Sequence, residues 1–244
     1  MPLTENKKIG IAYLIQPPFT PQLGIYGKIS EAIEKEFYSA LENKYKYISI
    51  EVNATHLFDS SKTKAKRTFI INLQNNFSYN SNTKRNISKA VKEELIFESV
   101  KSTEIAALSK KLINPFLIKK LKLKNKDIQI FDKLLQNCIA QYNLYTFIIK
   151  TKSGKICAIA HFICNQKHVV YLKGTSFDRN SGSMHFLMNK VIQFFREKNL
   201  KLFDFGGGQS DSMAQFYSGF GAKPLNYKTY KINNLPKAIK WLKS

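Results

Sequence analysis

The chain has 244 residues, 43% of them apolar and 23% charged, which is enough for one large domain or two small ones with a core. It holds no run of about 18 apolar residues, and its opening apolar stretch leads into Gln16-Pro17-Pro18 where a leader would carry small cleavage residues, so neither a membrane span nor a signal peptide is expected. The net charge of +22 invites a nucleic-acid reading, but only Arg67, Arg85, Arg179 and Arg196 among the 39 basic residues are arginine, and a lysine bias that solvates the faces explains most of it. Three cysteines (Cys138, Cys157, Cys164) lack metal-ligand spacing, so a reducing cytoplasm and no metal are expected.

In chain order, Ile9–Ile15 reads as a strand and Gln16–Gly27 as a proline-fixed loop carrying Phe19 and Tyr26. A helix over Ile29–Leu41 and strands over Tyr47–Val52 and Arg67–Leu73 come next. Asn75–Asn82 is a polar connection and Thr83–Val91 a basic helix. Leu95–Val100 reads as a strand, then helical patterns cover Ser102–Leu123, broken near Asn114-Pro115, and Lys126–Tyr142. Leu144–Lys150, Ile156–Cys164 and His168–Gly174 form a meander of β-branched and aromatic residues with turn signals at hairpin spacing. After the polar loop Thr175–Ser183, a helix spans Met184–Lys198. Two short strands around Tyr227–Ile232 and a basic amphipathic tail, Pro236–Lys243, close the chain.

The most informative stretch is KLFDFGGGQSDSMAQFYSGFGA, Lys201–Ala222. It reads as a buried strand (Leu202–Phe205), a turn at Gly206–Gly208, and a helix with Met213, Phe216, Tyr217 and Phe220 on one face. Glycines at a strand end let a ligand approach the backbone and leave N–H groups that favour negative charge. No Walker A or dinucleotide fingerprint is present.

The order from Leu95 on (strand, two helices, three antiparallel strands, loop, helix, strand, helix, strand) resembles the GCN5-related N-acetyltransferase (GNAT) fold. That family holds the pyrophosphate of acyl-CoA with a loop reading Gln/Arg-x-x-Gly-x-Gly/Ala. Arg179-Asn180-Ser181-Gly182-Ser183-Met184 is similar, with Met184 departing at the last place. Asp204-Phe205-Gly206-Gly207 and Phe216…Phe220-Gly221-Ala222 resemble the FemAB/FemX-type branch and BioF2-like acetyltransferase domains. The resemblance implies an α+β fold: a mixed, mostly antiparallel sheet flanked by helices (residues 83–244), preceded by a partial GNAT-like unit (1–82) that is truncated, degenerate, or cut from a longer gene product.

It also implies roles. Thr175, Arg179, Gly182, Ser183, Met184 and His185 would bind acetyl-CoA or another acyl-CoA, and Tyr217 would protonate the departing thiolate. FemX-type ligases, which draw on charged tRNA, tend to have lysine there, which tilts the expectation toward acyl-CoA. Asp204 could act as a base or orient the amine, with structural pairing to a lysine at the strand end as the alternative. Phe19, Tyr26, Arg85, Gly206, Gly207 and Gln209 would contact a small-molecule or peptide-like amine acceptor. His161 and His168 read as core residues, and His185 and Tyr217 have simple packing as the alternative. The expected activity is acyl transfer from CoA to an amine. The rivals are a tRNA-dependent aminoacyl transferase acting on a cell-wall precursor and a non-catalytic binding module.

Overall fold

The computed structural model describes residues 1–27, 30–53, 62–178 and 182–237. Contacts divide the chain into two units, Met1–Thr68 with Leu225–Ser244, and Phe69–Pro224.

In the first unit β1 (Glu5–Lys8) and β2 (Ile11–Ile15) form a hairpin. Its turn residues Ile9 and Gly10 both take left-handed φ (50° and 72°), matching the twist of the flanking strands. Helix α1 (Glu31–Lys44) starts at Ser30, whose hydroxyl accepts the Ile33 N–H, and leads to β3 (Tyr47–Val52), parallel to β2. β4 (Thr63–Asn72) begins here and leaves after Thr68. Leu14, Leu41, Ile48, Ile50 and Tyr230 form the core. The carboxylate of nearly buried Glu51 accepts from Thr229 and Lys66, which offsets its desolvation.

The second unit opens with α2 (Ser81–Lys92), capped by the Asn80 side chain accepting the Thr83 N–H. Then come β5 (Ile96–Ser99), α3 (Ser102–Leu108), a π-helical turn (Ser109–Ile113), α4 (Asn114–Leu121) and α5 (Asn125–Ala140). The meander is β6 (Leu144–Lys150), β7 (Ile156–Cys164) and β8 (His168–Ser176), and after it come α6 (Ser183–Glu197), β9 (Leu202–Asp204) and α7 (Asp211–Ser218). Strand order within the unit is β4-β9-β8-β7-β6-β5, antiparallel throughout except β8–β9. Leu187, Val191 and Phe195 of α6 pack on Ala158, Ala160 and Phe162 of β7. The opposite sheet face takes α5, with Phe131 against His161. β10 (Lys223–Asn233) starts in this unit and, from Leu225, belongs to the first, where it pairs with β3.

This is the expected α+β arrangement of a mixed sheet with helices, but several boundaries move. The division falls at 68/69 rather than 82/83, because Phe69, Ile71 and Leu73 bury their side chains in the second core. Residues 225–244 return to the first unit through the β3–β10 ladder. The two short strands expected near Tyr227–Ile232 are one continuous strand. The charged strand β1 carries no apolar alternation and was not expected; the turn geometry decides it. The tail expected over Pro236–Lys243 lies largely outside the described residues. No helix among the described residues is long and apolar enough to cross a membrane.

Candidate functional site

The second unit's sheet opens at one place. The parallel β8–β9 ladder ends at Val170↔Asp204, whereas β8 stays paired to β7 through Ser176. At the parting point β8 carries a bulge: Phe162 faces Tyr171 and His161 faces Lys173, so Leu172 is the extra residue. A bulge re-aims side chains next to it. Tyr171 thus joins Phe162 on the α6 side (ring centroids 5.4 Å), while Lys173 stands beside His161 on the α5 side.

Tyr217 reaches this opening from α7. Its ring stacks on Phe205 (4.4 Å, 28°), and it is 4% exposed. Burial pushes its phenol up to about 12, with the Asp204 charge adding to the effect. Tyr171 is raised further, by burial first and then by Tyr217. Two protonated phenols and one carboxylate therefore converge where β8 leaves β9. The Asp204 carboxylate accepts the Gly206 N–H at 2.8 Å, which makes it an organiser of its own turn.

The glycine run serves its own chain more than a ligand. A Cβ on Gly206 (φ 65°) would sit 2.7 Å from the Tyr171 carbonyl oxygen, and one on Gly208 (φ 124°) would sit 2.4 Å from the Phe69 ring. Only Gly207 has open space, its nearest neighbour being the Met213 methyl at 4.0 Å. Tight turning and close self-packing, more than access, require these residues. Gln209 is exposed on the same turn.

Arg179, Asn180 and Ser181 of the expected pyrophosphate loop lie outside the described residues. The next four residues, Gly182–His185, are fixed by packing. Gly182 is the N-cap of α6 at φ 69° and brings no side chain to cap the helix, whose dipole leaves its positive end here. A Cβ on Gly182 would meet the Asn86 carbonyl oxygen at 2.2 Å, because α2 lies against this end of α6. Ser183 is buried and its hydroxyl is shared with Ser176 Oγ (3.0 Å), knitting the loop ends together. Met184 packs on the core. His185 lies against Phe216 (4.8 Å) and Phe220 (5.8 Å), and burial lowers its pKa; its side chain holds α6 to α7. Thr175 is nearly buried across from Ile159, on the face away from α6.

Arg85 is exposed on α2, donating to Asn82 Oδ1. Phe19 and Tyr26 belong to the first unit, Tyr26 64% exposed. His161 is core, its Nδ1 2.7 Å from Thr146 Oγ1, while His168 is exposed rather than core because it begins its strand. Reading the sequence missed Tyr171 and Lys173. Strict alternation along HVVYLKG would put both on one face, and the bulge separates them.

No protein-family model and no curated protein matches the sequence. Solved structures do match its fold. FemX aligns with TM-score 0.65 and 12% identity over 99% of this chain and 86% of that one. The fold is GNAT-like. The C-terminal domain (DUF2156) of a lysylphosphatidylglycerol synthetase from Agrobacterium fabrum, described as putative, aligns with TM-score 0.61 and 13% identity over 98% of this chain and 82% of that one. L-PGS from Bacillus licheniformis aligns at 0.60 and 13%, over 98% and 83%. At these identities the likeness concerns the fold alone.

Proposed function

We propose that the second unit is an N-acyltransferase that moves an acyl group, acetyl in the simplest case, from CoA to an amine acceptor. The observation that carries this reading is the opening of β8 from β9. Beyond Val170 the released edge of β8 offers backbone N–H and C=O groups, and an extended amide-bearing arm can pair with them as an added strand does. The start of α6, at the positive end of its dipole, lies downstream on the same strand-to-helix connection and suits the donor's phosphates. Arg179 would add charge to that loop.

Catalysis would rest on positioning an amine against the thioester carbonyl. Tyr217, with its phenol held at about 12, stays protonated at neutral pH. Such a group donates a hydrogen bond to a departing thiolate more readily than it surrenders its proton, since proton transfer works best between matched pKa values. Tyr171 is a second donor of the same kind.

The test is a thermal-shift titration with acetyl-CoA and free CoA at two salt concentrations. At about 100 times its dissociation constant a ligand adds about 2.7 kcal/mol of stability. A salt-tolerant shift, lost in Arg179→Ala, supports the reading; no shift with either ligand sinks it.

A second reading takes the acyl group from charged tRNA. Its support is the likeness to FemX, to L-PGS and to a chain named for lysylphosphatidylglycerol synthesis, together with the charge of +22. Salt-sensitive binding of charged tRNA, with no response to CoA, would favour it. Under either reading the first unit is the partial counterpart of the second, and acceptor choice falls to the residues after Gly208.

A further inference from the structure

The second unit has a cavity away from the β8–β9 opening. It lies between the segment before α2, α2 itself and the outer side of α6, with a volume of about 380 Å³. Its wall joins Phe77, Tyr79, Lys84, Asn189, Gln193 and Arg196. The lining holds two cations, two aromatic rings and two amides, and no carboxylate.

These groups are ordered with respect to each other. Tyr79 packs edge-on to Phe220 (5.3 Å), Phe77 stacks on Tyr79 (6.0 Å, 29°), and the Arg196 guanidinium sits over the Phe77 ring at 5.5 Å. The result is a ladder of flat groups that starts in the core and ends in an exposed guanidinium plane. Such a plane is a stacking surface for a nucleobase, because it is flat, delocalised and weakly hydrated. Phe77 and Tyr79 hold that plane from behind at little entropic cost. Lys84 supplies a second positive charge from the first turn of α2, and Gln193 Nε2 donates to Asn189 Oδ1 (3.3 Å), so the pair offers the Asn189 amide N–H groups and the Gln193 carbonyl oxygen to a base edge.

We propose that this cavity binds a nucleotide unit. The base extends the ladder over Arg196, its edge meets Asn189 and Gln193, and its phosphate pairs with Lys84. Combining stacking with a cation in one small wall is the arrangement by which proteins hold single nucleotides and single strands. The volume suits one nucleotide, at the lower end of the usual range for small-ligand sites. Asn189 and Arg196 lie seven and fourteen residues past Gly182, roughly 10 to 20 Å along the helix, so an anion at the start of α6 does not by itself fill the cavity. The inference does not depend on the chemistry of acyl transfer.

The experiment uses the full chain with a fluorescein-labelled single-stranded RNA decamer followed by anisotropy, and AMP, ribose 5-phosphate and inorganic pyrophosphate followed by calorimetry. AMP is expected to bind at least tenfold more tightly than ribose 5-phosphate or pyrophosphate. Arg196→Ala should weaken AMP at least tenfold. Arg196→Lys, which keeps the charge and loses the plane, should weaken AMP about fivefold while leaving ribose 5-phosphate unchanged. Lys84→Ala should weaken both. Arg196 and Lys84 are exposed, so these variants keep the fold; unchanged circular dichroism confirms it.

If AMP displaces a decamer that binds more tightly than AMP itself, the occupant is part of a strand. If AMP binds and the decamer does not, the occupant is a free or carrier-borne nucleotide. Both outcomes support the site. AMP binding no better than ribose 5-phosphate, or unaffected by Arg196→Ala, overturns it, whatever the protein does with acyl-CoA.

Discussion

On the α6 face of the second unit's sheet, Phe147, Phe162, Phe195 and Phe203 meet ring to ring at 5.9–6.2 Å, and Tyr145 and Tyr171 pack against them. On the α5 face the same two central strands carry Thr146 and His161, both buried, with Lys173 next across the ladder. His161 gives Nδ1 to Thr146, and its Nε2 finds no hydrogen-bond partner among the described residues. The Ser109 hydroxyl of the π-helical turn is buried and finds no partner among them either. One face is a close-packed layer made mostly of hydrocarbon rings. The other accepts polar groups whose burial is only partly compensated, beside the strand that opens. Stability should therefore sit on the first face and pH sensitivity on the second.

Four predictions break or sharpen that contrast. Phe162→Ala, which removes a ring from the middle of the aromatic layer, should cost about 3–5 kcal/mol, read from the urea midpoint; a loss under about 1 kcal/mol would mean the layer is not the stabilising face.

The next effect is on the other face. Burial lowers the pKa of His161 from 6.5 to about 4. Between those values the unfolded chain binds a proton that the folded one refuses, so stability falls as pH drops. At about 1.36 kcal/mol per unit the loss approaches about 3 kcal/mol by pH 4. His185, also lowered by burial, adds in the same direction. Denaturation curves at pH 7, 6, 5 and 4 should show a shallower decline in His161→Asn than in the parent chain. Equal slopes would refute the assignment.

Gly182→Ala places a methyl against the Asn86 carbonyl at a left-handed φ and should cost about 2 kcal/mol. A neutral result by thermal melting would show that α2 yields to it. The smallest structural effect belongs to Tyr217→Phe, which keeps the ring stacked on Phe205. Stability should stay within about 0.5 kcal/mol, while acyl transfer drops about a hundredfold if the phenol assists the leaving group. Full activity in this variant would leave Tyr217 a packing residue.

Much of the second unit was legible in the sequence. The meander strands Leu144–Lys150 and Ile156–Cys164 begin and end where their β-branched runs do, since a strand buried on both faces must be apolar throughout. Ser210 caps α7, its hydroxyl accepting the Met213 N–H, the role a serine just before an apolar helical run ordinarily takes. The glycine run reads as a ligand cradle, and the structure shows why that is too generous: a glycine forced by a neighbouring carbonyl or ring looks the same in sequence as one forced by a ligand. The cavity lined by Lys84 and Arg196 was out of reach, because its lining comes from three segments that only packing brings together.

The sequence by itself determined most of the local elements, the α+β order and the identity of the strand that precedes α7, because periodicity and turn chemistry act over a few residues. Tertiary structure alone decided where β8 leaves β9, which side of the sheet Tyr171 and Lys173 occupy, and that β10 returns to pair with β3. Each of these depends on register between segments distant in the chain. A single bulge residue or a diverging ladder changes what a side chain faces without changing its type, and nothing in the local pattern records it.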